Sequence, residues 1–413
     1  MVPEGWKQSE VGEHVDLLSG FPFKSDQYSD DTDDIRLLRG DNIGQGHLRW
    51  REAKRWDRAQ YDQLEKYHLK AGDFVIAMDR TWVTGGLKVA EVKQHDLPSL
   101  LLQRVSRLRT HSSLDQRLLR FFINGYRFEQ YVKSVQTETA VPHISAKQIK
   151  DFPIPIPPLP EQRKIADILS TWDQAIEKTE ALLRNARTQK RALMQQLLTG
   201  KRRFPAFEGQ PWKEVRLGDL GKCIRGVTYK PNQIQSSETT ETMRLYRSMN
   251  IENGEIVEEP FVIVPMSVVT DERVLVEGDL AVCMSNGSKR LVGKSAPIRV
   301  TDGSHTVGAF CAIFRTQDAE LQDFVRVLFQ SPMFDQHITL ALAGSSINNL
   351  KNSDIEGMRF AVPTRREEMI AIANVMSEKD MEVVSVIEQI TKLRTEKKAL
   401  MQQLLTGKRR VVV

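Results

Sequence analysis

From Ile165 onward the apolar positions of this chain fall into step. Ile165, Trp172, Thr179, Ala186 and Leu193 stand seven residues apart, interleaved with Leu169, Ile176, Leu183, Lys190 and Leu197. The step returns in Ile372, Lys379, Val386, Leu393 and Leu400, interleaved with Met376, Val383, Ile390, Lys397 and Leu404. Residues alternately three and four apart share one stripe of an α-helix, and a stripe of period 3.5 is the seam of a coiled coil. The pattern therefore predicts two long helices, at 158–203 and 364–413. Each is stopped by a Thr-Gly pair, Thr199-Gly200 and Thr406-Gly407, because glycine readily takes the left-handed conformation that ends a helix. Two such stripes in one chain pair most simply with each other. Lys190 and Lys397 hold the same seam position, where lysine costs stability and fixes register. Upstream of each helix the pattern changes to short β-like runs, at 73–78, 261–264 and 310–314, between loops rich in Gly, Asn, Ser and Asp. One helix is expected near 114–134 and its match near 320–340. Prolines close both regions: the stretch 152–160 should run extended, and Pro363 marks the second exit.

The chain also repeats itself. The twelve residues Ala-Leu-Met-Gln-Gln-Leu-Leu-Thr-Gly-Lys-Arg-Arg stand at 192–203 and again, unchanged, at 399–410. Weaker matches follow at nearly the same offset: Trp6-Lys7 with Trp212-Lys213, Gly12 with Gly218, Gly20 with Gly226, Gly72-Asp73 with Gly278-Asp279, Met78 with Met284. Leu37, Arg39, Asn42, Ile43 and Gly46 answer to Leu245, Arg247, Asn250, Ile251 and Gly254. A period this long means two domains rather than a solenoid of short repeats. The expected architecture is α+β: globular domains at 1–157 and 204–363, helices at 158–203 and 364–413, the helices pairing as an antiparallel coiled coil with pseudo-twofold symmetry. The seam is carried by Ile165, Leu169, Trp172, Ile176, Leu183, Leu193 and Leu197, with Val383, Ile390, Leu393, Leu400 and Leu404 opposite.

Composition excludes several classes. The three cysteines lack metal or disulfide spacing, and no apolar run approaches the length of a membrane span, so a cytoplasmic chain without metal or membrane contact is expected. The formal net charge of +5 is uneven. Residues 184–203 hold Lys and Arg without any acid, and 392–410 hold them against Glu396 alone, so the remainder of the chain is net acidic. The basic helix ends Lys201-Arg202-Arg203 and Lys408-Arg409-Arg410 suit DNA phosphates and an acidic partner surface equally.

The order of globular domain, then Ile-Pro-Ile-Pro-Pro-Leu-Pro-Glu-Gln-Arg-Lys-Ile-Ala-x-Ile-Leu at 154–169, coiled-coil helix and Leu-Leu-Thr-Gly-Lys-Arg, all of it repeated, resembles the specificity subunit of a Type I restriction-modification system. The second copy departs from the pattern, with Pro-Thr-Arg-Arg-Glu-Glu at 363–368. The resemblance implies two target-recognition domains, each reading one half of a bipartite sequence in double-stranded DNA. It implies helices that set the spacing of the half-sites and dock two modification subunits, which methylate adenine with S-adenosylmethionine. Restriction subunits would complete an ATP-dependent nuclease. It implies no catalytic residue and no cofactor in this chain.

Motifs for chemistry are indeed wanting. The Asn/Asp-Pro-Pro-aromatic signature of adenine methyltransferases is absent. Gly287 to Ser295 has five residues where a phosphate loop needs four between its glycines. Asp79 with Glu91 and Lys93 is a loose echo of a nuclease. A stand-alone nuclease or methyltransferase is the competing class, and a structural adaptor without a DNA role is the third. Bases are read by side chains with paired donors and acceptors, phosphates by cations and amides. The DNA-binding candidates are therefore Asp79, Arg80, Thr81 and Trp82, and, after the matching strand, Ser285, Asn286, Ser288, Lys289 and Arg290. A second matched pair of loops offers Thr137, Thr139 and His143, then Ser345, Ser346 and Asn349. Arg39, Asn42, Arg247 and Asn250 recur in both copies, which suits phosphates or local structure better than base discrimination.

Overall fold

The two seams are helical throughout: Leu159–Leu198 and Arg366–Leu404 are each one unbroken helix. Both stop where glycine takes a left-handed turn, at Gly200 (φ +67°) and Gly407 (φ +68°). The computed structural model describes residues 2–137, 140–299, 301–343 and 348–412. They divide into two units, Met1–Glu180 with Glu388–Val413, and Ala181–Ile387. Each unit thus combines a globular part with the start of the helix that follows it and the end of the other helix.

In the first unit a four-stranded antiparallel sheet runs in the order Val15–Ser19, Val105–Thr110, Phe74–Ala77, Val89–Glu91. Beside it stand a three-stranded sheet, Arg55–Trp56, Ile35–Leu38 and Ser99–Leu101, and the pair Lys7–Glu10 with Pro153–Ile156. The second unit repeats this: Gly221–Arg225, Cys311–Thr316, Leu280–Cys283 and Ser295–Pro297 form the four-stranded sheet. Its smaller sheet is Val262–Pro265, Thr242–Tyr246 and His305–Val307. Each core lies between sheet and helices. Phe74, Ile76 and Leu108 meet Leu118, Phe121, Phe128, Ile165 and Leu169 in one unit. Leu280, Val282 and Phe314 meet Phe324, Val327, Phe334, Ile372 and Met376 in the other.

Two expectations need correction. The helix near 114–134 is two helices, Gln116–Ile123 and Tyr126–Val135, broken at Asn124-Gly125; its match is broken before Pro332, into Gln322–Phe329 and Pro332–Ala343. A proline can begin a helix but not continue one. The extended run over 152–160 is also shorter than its prolines suggest, because Leu159 and Pro160 already belong to the long helix. In a first turn proline gives up no hydrogen bond, and its φ is already helical.

Within each unit the helix segments are antiparallel, and charges hold their register. In the first unit Lys397 Nζ bonds Asp173 Oδ1, while Arg120 Nη2 lies 3.0 Å from Asp173 Oδ2. In the second, Lys190 Nζ bonds Asp380 Oδ1, while Arg326 Nη1 lies 2.8 Å from Asp380 Oδ2. Both seam lysines therefore join an Arg-Asp-Lys triad that ties a short helix to both long ones. Seam residues near the globular parts, Ile165, Leu169, Leu197 and Leu404, are buried, as is Ile390; Trp172, Ile176, Leu183, Leu193, Val383, Leu393 and Leu400 are half-buried. One helix against one helix cannot cover a side chain on all sides.

A buried carboxylate closes each unit. Glu161 is 3% exposed and accepts two bonds from Arg410, at 2.8 and 2.9 Å, and one from the Trp6 indole at 2.9 Å. Glu368, 1% exposed, accepts two from Arg203, at 2.5 and 2.8 Å. Each guanidinium also lies over an indole, Arg410 over Trp6 and Arg203 over Trp212. Burial pushes the Glu161 carboxyl up, but the bonds from Arg410 and Trp6 outweigh it and hold the group below its ordinary value. A carboxyl depressed in the folded state stabilises above its unfolded pKa, and that contribution is lost as pH falls through the lower folded value. Glu161→Gln should therefore cost about 2 kcal/mol at neutral pH, below the roughly 3–5 kcal/mol of a fully buried broken pair because the half-exposed Arg410 can rehydrate. It should also flatten the acid limb of stability against pH below about 4.5, the ordinary glutamate value. Denaturant melts of both chains across that range check it; parallel acid limbs would show that the clasp contributes nothing.

Candidate nucleic-acid interface

The strand Phe74–Ala77 leaves the first unit's sheet into residues 78–82, and main-chain bonds knit this loop to two others. Met78 N donates to Arg104 O at 2.8 Å, Arg80 N to Pro142 O at 2.7 Å and Ile144 N to Met78 O at 2.9 Å. Side chains then meet across the loops. His143 Nδ1 lies 2.7 Å from Asp79 Oδ1, Arg104 Nη1 lies 3.7 Å from the same oxygen, and Thr137 Oγ1 accepts from His143 N at 3.0 Å. Thus Asp79, Arg80, Thr137 and His143 come together as expected, joined by Arg104.

Arg80 (φ +47°) and Arg104 (φ +67°) both hold left-handed backbone, a conformation that costs a side-chain-bearing residue of order 1 kcal/mol. Both are exposed. The strain falls on both sides of Asp79, with Arg80 next to it in the chain and the Arg104 guanidinium 3.7 Å from its carboxylate. Lys88 adds a third cation: burial pulls its ammonium below the ordinary value, Arg80 and Arg49 add to this, and Asp41 opposes it. The turn that carries Arg39 and Asp41 thus neighbours the same loop.

Other candidates are committed within the protein. Thr81, 1% exposed, donates to Ala77 O at 2.6 Å. Trp82 donates to Glu129 at 3.1 Å and lies under the Lys133 ammonium. Asn42 and Asn250 are buried and lock matched turns, accepting from Arg39 N and Arg247 N and donating to Arg49 O and Val257 O. Their recurrence is explained by local structure. Arg39 lies 3.4 Å from Asp41, and the Arg247 side chain is exposed beside Met249.

The second unit builds the same cluster from different residues. Ser285 bridges Asn349 as Asp79 bridges His143, and Asn286 Nδ2 reaches Ser248 Oγ at 3.3 Å. Ser288, Lys289 and Arg290 lie exposed on the loop beyond, with Lys289 Nζ 3.3 Å from Leu342 O. Phe310 stands where Arg104 stands, its carbonyl accepting from Met284 N at 2.8 Å. Lys294 repeats Lys88 and donates to Ile251 O at 2.7 Å. Thr139, Ser345 and Ser346 lie outside the described residues. Sequence reasoning missed Arg104 and Phe310, which match nothing across the repeat, and Lys88 and Lys294, which do match and were findable.

The catalytic echoes dissolve. Glu91 pairs in register with Phe74, at the other end of that strand from Asp79, and its carboxylate is bound by Arg120 at 2.8 Å. Burial pushes the thiols of Cys223 and Cys311 up to about 12, so neither is a thiolate at neutral pH. At the basic helix ends, Arg203 and Arg410 find their acidic partners, Glu368 and Glu161, within their own units. Among the described residues no helix is long and apolar enough to cross a membrane.

Residues 3–184 match the family described as the Type I restriction modification DNA specificity domain. That match covers the first globular part and the start of the helix that follows it. The chain is 30% identical over 187 residues to the EcoAI specificity subunit of Escherichia coli, covering 45% of this chain and 31% of that one. It is 29% identical over 201 residues to the MjaVIII specificity subunit of Methanocaldococcus jannaschii, covering 48% and 47%. Those alignments span less than half the length of either relative. The whole fold is shared with a solved Type I restriction-modification S subunit from M. genitalium, with TM-score 0.58, 13% identity, and 98% and 96% of the two chains covered. This chain therefore shares the fold of that S subunit, with two α+β units and two long helices.

Arg80 separates strain from stability. Arg80→Gly relieves the left-handed backbone, so the unfolding free energy should hold or rise, by up to about 1 kcal/mol. Where these loops meet DNA, as proposed below, binding should weaken about tenfold, as when one guanidinium contact is lost. Equal loss of stability and binding would show that Arg80 is structural.

Proposed function

We propose that this chain is the DNA-specificity subunit of a Type I restriction-modification complex, each unit reading one half of a split target in double-stranded DNA. Arg80, Arg104, His143 and Asp79 read in the first unit; Ser285, Asn286, Asn349, Lys289 and Arg290 read in the second. Arg39, Arg247, Lys88 and Lys294 serve the phosphates. One observation carries the reading: the two units keep the same supports and change the same loops. Asp73 with Arg109 and Asp279 with Arg315 are the same doubly bonded pair in both sheets. Asp79, Arg104 and His143 become Ser285, Phe310 and Asn349 at equivalent positions. A shared frame with divergent tips is what two readers of different sequences require.

The helices set the half-site spacing and dock two modification subunits, which supply the methyl-transfer chemistry, while restriction subunits supply ATP-dependent cleavage. Support for docking comes from a groove of about 620 Å³ in the first unit, lined by Phe122, Tyr126, Phe152, Met401 and Leu405 among others. Two of these belong to the twelve-residue segment that the chain carries twice, as a shared partner would need. Methylome sequencing of cells with and without the gene should show a split methyladenine motif that vanishes with the gene. An unchanged methylome in cells that express the chain with its modification partners would overturn the proposal.

A further inference from the structure

We infer that Phe310 reads DNA by apolar contact with a thymine methyl group in the half-site of the second unit; this rests on the specificity reading above. The residue is 69% exposed, the one phenylalanine so placed among the described residues. An aromatic side chain normally buries most of its surface, so displaying one forgoes stability that folding would otherwise gain.

The backbone that carries it is fixed. Phe310 O accepts from Met284 N at 2.8 Å and from Ser285 N at 3.1 Å, and Leu350 N closes the third loop onto Met284 O at 2.8 Å. Arg225 braces the assembly from below. It donates to Ala309 O at 2.8 Å, Leu350 O at 2.9 Å and Asn349 Oδ1 at 3.2 Å. A backbone held this way need not be ordered again on binding, which spares part of the conformational cost.

Its surroundings say what it meets. The Phe310 carbonyl bonds Ser285, which bridges Asn349, with Asn286 next along the chain; these side chains carry donors and acceptors suited to base edges, and a phenyl group has nothing to offer a phosphate. In the major groove the only apolar base feature is the thymine methyl, which phenylalanine contacts, while asparagine pairs with adenine. The first unit carries Arg104 in the same slot, a cation suited to guanine acceptors. One scaffold position thus holds two chemistries for two base edges.

The test uses the full chain in complex with its modification subunits and a duplex carrying the methylome-derived motif, with each thymine replaced in turn by deoxyuridine. Wild type should lose about fourfold in affinity at one thymine of the second unit's half-site, the value of one buried methyl group. Phe310→Ala should bind thymine and uracil there alike, while Phe310→Leu, still apolar, should keep part of the preference. Both variants should melt like wild type, since the ring is exposed. A half-site without thymine, a wild type indifferent to every methyl, or a Phe310→Ala chain that still discriminates would each overturn the inference while leaving the specificity reading intact. Absence of any motif would overturn both, and is seen before a variant is made.

Discussion

Two carboxylates that cannot be left alone organise this molecule. Glu161 and Glu368 sit at the starts of the long helices, where the helix dipole welcomes a negative charge but burial removes water from it. Only a cation with several donors in a fixed plane satisfies such a group, and in each unit it is an arginine just past the end of the other helix. Sliding either helix by one turn would strand a buried charge. The register is therefore decided at the clasp, and the Arg-Asp-Lys triads repeat the decision further along. In the first unit the clasp also joins residues from opposite ends of the chain, since Arg410 donates to Glu4 O as well.

With the helix segments fixed, each globular part has a floor to pack on, and its sheet can end in loops that need not stabilise anything. That freedom is used differently in the two units. The first concentrates charge, with Arg80 and Arg104 in strained backbone around Asp79 and His143. The second puts an exposed phenyl ring, Ser285 and Asn349 at the equivalent positions, with Lys289 and Arg290 exposed on the loop beyond. Strain and exposure both cost stability, and both fall at the same three loops.

The helices were legible because an apolar stripe of period 3.5, sustained over five heptads, fits a helical seam and neither a strand nor a loop. The duplication was legible because twelve identical residues recur. Part of that identity has a structural reason: Leu197, Leu198, Leu404 and Leu405 are buried, and Arg203 and Arg410 close the clasps. Glu368 was hidden because the segment around it looks divergent, yet the one carboxylate that matters is kept. The break at Asn124-Gly125 was missed because apolar residues continue on both sides. Asn42 and Asn250 recurred for the sake of a turn, which sequence alone could not separate from phosphate binding. Arg104 and Phe310 escaped because similarity across a repeat reveals what is kept, and these two positions are changed.

Independent reading of DNA by two units built on a common frame is the central claim. Exchanging residues 1–157 for the corresponding domain of a relative that keeps the tryptophan of the clasp, then sequencing the methylome, tests this directly. One half of the motif should change, with the other half and the spacing between them retained. A change in both halves together would contradict it.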